Sequence, residues 1–93
     1  MFDRVLKRVR ELIRTRQYVM TLHAEEEMLA DDLTVYDVEG VVLTGRIVER
    51  QKDHSSGEWK YLIRGQSIAD DPATIVVKVG PTGRAIIITV FRE

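Results

Sequence analysis

The feature that most constrains this chain is a change of hydrophobic period near Gly45. Before it, apolar residues recur at spacings of three and four; from Arg46 onward they alternate. The first pattern builds helices with one buried stripe, and the second builds half-buried strands. A chain of 93 residues has room for one domain. The fold class expected is therefore α+β, with N-terminal helices packed on a four-stranded antiparallel β-meander.

Phe2, Val5, Leu6, Val9, Leu12 and Ile13 form one stripe, predicting a helix over residues 2–15. Tyr18-Val19-Met20 reads as a short extended stretch. Thr21 suits the N-cap of a second helix over His23–Ala30, whose early glutamates favour the positive end of the helix dipole. Thr34-Val35-Tyr36-Asp37 reads as a capping box for a third helix, with Val35, Val38, Val42 and Leu43 inward and Gly45 as the stop. Strands are expected at 46–52, 59–65, 73–79 and 84–91, joined by Asp53–Glu58, a polar stretch 66–72 and the turn Gly80-Pro81-Thr82-Gly83. Ala85–Phe91 is apolar on both faces, so it reads as an internal strand covered on both sides. Trp59, Tyr61 and Ile63 would face the core, leaving Lys60 and Arg64, with Lys78 from the next strand, on the other face.

Charge divides the single domain, residues 1–93, into three stretches. Residues 1–17 carry six basic and two acidic groups, +4. Residues 18–45 carry seven acids and no Lys or Arg, −7. Residues 46–93 carry eight basic and six acidic groups, +2, and the sum is −1. Such asymmetry orients a protein toward charged partners. The basic helix has three candidate uses: RNA, an acidic partner, or the chain's own −7 stretch.

The absence of cysteine removes disulfide frameworks, thiolate nucleophiles and cysteine zinc sites. His23 and His54 are the only histidines, and His23 with Glu26 or Glu27 lacks an evident third ligand. No metal or cofactor is expected. Charges interrupt the N-terminal apolar residues, so neither a signal peptide nor a membrane span is read there, and the expected location is the cytoplasm. No nucleophile elbow or phosphate loop is present.

His23 is the foremost chemical candidate. The first turn of a helix favours a neutral imidazole and its general-base capacity, while Glu26 and Glu27 favour the protonated form. The competing reading is a structural histidine tying the helix start to the sheet. Lys60, Arg64 and Lys78 together offer a basic sheet face suited to phosphate, against the plainer reading of a solvated face.

The run Thr21-Leu22-His23-Ala24-Glu25-Glu26-Glu27-Met28 resembles the signature Ser/Thr-x-His-Ala-x-x-Arg-Met of a bacterial and archaeal family known as a domain of unknown function. The later order of elements is similar too: Leu33–Gly45, Tyr61-Leu62-Ile63-Arg64-Gly65 and the closing Thr89-Val90-Phe91. The resemblance spans about residues 18–92. It implies distant kinship to RelE/ParE and BrnT-type toxins, a RelE-like fold, and a cognate antitoxin-like partner with a zinc finger. It further implies a metal-independent ribonuclease, with His23 as general base or acid for attack by a ribose 2′-OH. Arg64 would stabilise the phosphorane-like transition state, with Lys60 and Lys78 as phosphate contacts. The alternative is a non-catalytic protein-interaction module. The sequence departs from the signature at Glu27, where the family has arginine.

Overall fold

Three amphipathic segments and five extended ones find each other because each has one apolar side to bury. In the computed structural model, which describes residues 1–93, the order is α1 (Asp3–Arg14), β1 (Tyr18–Met20), α2 (Leu22–Ala30), α3 (Val35–Thr44), β2 (Arg46–Lys52), β3 (Trp59–Gln66), β4 (Pro72–Val79) and β5 (Ala85–Arg92). The sheet runs β1-β5-β4-β3-β2. Neighbours from β2 to β5 are antiparallel, but β1 lies parallel to β5, Tyr18 opposite Ala85 and Met20 opposite Ile87. The sheet is thus five-stranded and mixed, not a four-stranded antiparallel meander. The extra strand is only three residues long, too short for an alternating pattern to announce it. A parallel neighbour cannot be joined by a tight turn, and here two helices and three strands separate β1 from β5 along the chain.

One cluster holds the core. Val9, Leu12 and Ile13 of α1, Ala24 and Met28 of α2, and Val38, Val41 and Val42 of α3 meet Ile63, Ile75, Val77, Ala85, Ile87 and Val90 of the sheet. All three helices therefore occupy one sheet face. The strand residues that alternate with this set include Leu62, Thr74, Val76, Ile86 and Phe91, and they stand on the opposite face, outside the cluster. β5 is internal, as its apolar character suggests, yet no element of this chain covers its second face. Trp59 is not part of the core: it is 39% exposed at the start of β3, with the guanidinium of Arg50 4.0 Å above its ring and the Lys52 ammonium 5.0 Å away.

Two close backbone approaches set the spacing of α3 and β3. A Cβ on Gly45 would sit 2.5 Å from the carbonyl oxygens of both Arg64 and Val41, and one on Gly65 would strike Val41 O and the backbone of Gly45. Gly45 ends α3 in an extended conformation, φ −90°, so its lack of a side chain is required for room, not for left-handed backbone. The exposed carbonyls at this helix end are met by Arg10 of α1, whose Nε donates to Val42 O at 3.1 Å and whose Nη2 donates to Gly45 O at 2.6 Å. The capping box at the other end is formed: Asp37 N donates to Thr34 Oγ1, and Thr34 N donates to Asp37 Oδ2.

Candidate functional site

The placement of His23 begins with Thr21. Its hydroxyl accepts the Ala24 N–H at 3.1 Å, starting α2, and donates to Ile88 O at 3.0 Å. Ile88 is the unpaired residue of a bulge in β5, where pairing with β4 slips between Val76 and Val77. Where β1 ends, α2 takes over the flank of β5. Two carboxylates one turn apart, Glu27 within α2 and Asp31 at its C-cap, accept strand N–H groups that no neighbouring strand pairs: Glu27 from Val90 at 3.1 Å and Asp31 from Arg92 at 2.9 Å.

Glu27 Oε1 also stands 3.2 Å from His23 Nε2. The imidazole is 66% exposed while the carboxylate is largely covered. His23 is thus held from one ring nitrogen by a carboxylate that the sheet anchors, the arrangement that orients a histidine for proton transfer. Glu26 is solvent-exposed. Glu27 thereby has a defined structural task.

Lys60 and Arg64 lie two residues either side of Leu62 on the helix-free face of β3, and Arg46 of β2 pairs with Arg64. Arg64 Nε meets Glu93 Oε2 at 2.6 Å. Lys78 shares this face but is engaged, 3.2 Å from Glu58 and 3.5 Å from Asp53, with its side chain only 16% exposed. The Glu58 hydrogen bond, ahead of the contributions of Asp53, raises the Lys78 pKa; hydrogen bonds from Ser55 are the main reason the Asp53 carboxyl is lowered to about 2. The Asp53–Glu58 loop therefore clamps Lys78, whereas no ion pair engages Lys60. His54 is an exposed residue of that loop.

His23 and Arg64 are not neighbours. β4 and β5 intervene between β3 and α2, so at strand spacings of about 4.8 Å the two side chains are rooted more than about 10 Å apart. No group of three His, Cys, Asp or Glu side chains converges as a metal site would require, and no helix is long and apolar enough to cross a membrane. Sequence reading missed Glu27 and Asp31 as partners of the β5 edge; their i,i+4 spacing was visible, but the strand they serve lies some 60 residues away.

Helix-covered on one face and open on the other, with a histidine–carboxylate pair beside the strand flank, the molecule is a small α+β protein built around a mixed sheet. The chain belongs to the family described as Domain of unknown function (DUF4258), whose model matches residues 20–92. No curated protein and no solved structure matches it.

Proposed function

We propose that this protein is the toxin-like member of a toxin–antitoxin pair and that it acts on RNA, in a manner similar to RelE/ParE and BrnT-type toxins. The observation that carries the reading is the helix-free sheet face, which carries the exposed Arg46, the exposed Arg64 paired with Glu93, and the half-buried Lys60, and has the His23–Glu27 pair at its β5 flank. A single RNA strand laid across the strands meets these cations through its phosphates. At the flank, His23 takes the proton of a ribose 2′-OH as that oxygen attacks the adjacent phosphorus. The bond to the 5′-oxygen breaks, and that oxygen leaves with a proton taken from solvent water, giving a 2′,3′-cyclic phosphate and a 5′-hydroxyl. Given its distance from His23, Arg64 serves a phosphate further along the strand.

The test is growth of a bacterial host on induced expression of the native chain, beside His23→Ala and Arg64→Ala at equal soluble level. Arrest by the native chain with relief in both variants, each still folded by circular dichroism, is expected. Arrest in both variants would remove the site, and growth with the native chain would remove the toxin reading.

The second reading, a non-catalytic protein-interaction module, draws on different surfaces. The half-buried Leu62, Ile86 and Phe91, around the buried Val76, make the middle of the open face apolar, and Met20, Met28, Leu29, Leu33 and Val35 line a groove by α2 in which Leu29 is 83% exposed. A stable complex with a cognate zinc-finger protein, and intact RNA in the presence of the free chain, would favour it.

A further inference from the structure

The outward face of α1 carries Arg4, Lys7, Arg8 and Arg14 along a helix of 12 residues, about 18 Å long. At 100° per residue these four fall within one arc, opposite the buried Val9, Leu12 and Ile13. Their charge is scarcely used inside the molecule. No ion pair joins α1 to the acidic stretch 18–45, and the one pair on the helix is Arg14 with Glu11, at 3.8 Å on the surface. Arg10 alone turns inward, and it meets carbonyls, not carboxylates. The chain's own −7 segment is therefore not what these cations serve. The Arg8 guanidinium lies beside Gly83 in the β4–β5 turn. Helix α1 also lies wholly outside the residues matched by the family model, 20–92.

We propose that this strip is a docking site for the phosphate backbone of single-stranded RNA, separate from the sheet face; it rests on the reading of RNA as the target. The chemistry of the strip selects the occupant. The groove along it is lined by Arg4, Lys7, Arg8, Glu11, Leu12 and Arg14, with one apolar residue among six. The strip itself has no apolar centre of the kind a protein interface has; on its Arg4–Arg8 side it borders a groove with Val5, Trp59, Tyr61 and Val79, where the exposed indole offers a base a stacking surface. A lipid surface would be held by headgroup charge alone, because the apolar side of the helix is sealed in the core and cannot enter the bilayer. What remains is a row of mostly arginine cations suited to a chain of phosphates and indifferent to base sequence.

The experiment measures binding of a fluorescent mixed-sequence RNA oligonucleotide with 2′-O-methyl riboses, which cannot be cleaved by 2′-OH attack, so binding is read apart from catalysis. The native chain is compared with Arg4→Gln/Lys7→Gln/Arg8→Gln/Arg14→Gln and with Lys60→Gln/Arg64→Gln, each checked by circular dichroism. Glutamine keeps helix propensity, so α1 should persist. The α1 variant is expected to bind at least about tenfold more weakly near 0.1 M salt, with the slope of log affinity against log salt reduced by about 2–3 for four lost phosphate contacts. The sheet-face variant is expected to keep the α1 contribution. An unchanged affinity and slope in the α1 variant would overturn the proposal. So would tighter binding of the native chain to polyglutamate or to phosphatidylserine vesicles than to the RNA. α1-dependent RNA binding without growth arrest defeats the toxin reading and leaves the strip; arrest without α1-dependent binding does the reverse.

Discussion

Glu27 Oε1 lies 3.1 Å from the backbone nitrogen of Val90, sixty-three residues away, and so closes a gap in the hydrogen bonding of β5 beyond the end of β1. The strand edge is satisfied by a helix side chain instead of another strand, and the same oxygen holds His23 at 3.2 Å.

Replacing Glu27 therefore has two separable effects. Glu27→Ala leaves the Val90 N–H without its partner and should cost about 1–3 kcal/mol in urea unfolding. Glu27→Gln retains a carbonyl acceptor for Val90 and should cost less. If His23 transfers protons, Glu27→Gln should still lower activity through the weaker hold on the imidazole. Equal stability losses in the two variants would contradict the assigned contact.

Arg10 is the one α1 cation used internally. Arg10→Ala strands the carbonyls of Val42 and Gly45 at the end of α3 and should cost about 1.5–3 kcal/mol, the range for hydrogen bonds made by a charged group. Arg10→Lys should recover only part, because an ammonium lacks the fork that reaches both oxygens. Arg4→Gln, on the solvent face, should change the unfolding midpoint little.

Gly65→Ala drives a methyl group into the backbone at Val41 and Gly45, so helix and strand must separate. A loss of about 3 kcal/mol or more is expected by chemical denaturation. Gly57→Ala is the informative comparison. That residue has φ +76° but nothing within 4 Å, so only the conformational term applies, about 1–2 kcal/mol.

Stability should fall at both extremes of pH. The Thr34 backbone N–H, chiefly, lowers the Asp37 carboxyl below its ordinary 3.8, and Ser55 lowers Asp53 to about 2. Both favour the folded state above about pH 4, and that contribution is lost as pH falls through the lowered folded values. At the alkaline end, burial and then the Glu39 hydrogen bond, 2.6 Å, raise Tyr18 to about 12, and Glu58 raises Lys78. Their contributions are present below about pH 10 and lost as pH rises through the raised folded values. Urea midpoints measured against pH should show a plateau between these limits. Asp37→Asn should flatten the acid limb, and Tyr18→Phe should remove the tyrosinate absorbance step near pH 12.

Much of the fold was legible because its signals are local. The three-and-four spacing from Phe2 to Ile13, the Thr34–Asp37 box and the alternation after Arg46 each act within a few residues, and the helices and four longer strands stand close to where those patterns put them. Lys60 and Arg64 on one face of β3 follow from the two-residue period alone. Tertiary structure decided what depends on distant partners. Tyr18–Met20 became a strand only by pairing with Ala85–Ile87, and Trp59 left the core because β3 starts at the sheet's end. His23 and Arg64 were set apart by the two strands inserted between them. Glu27, read from the sequence only as a carboxylate near His23, was drawn to Val90 because an unpaired strand N–H beside a helix needs an acceptor, and only the folded chain brings the two together.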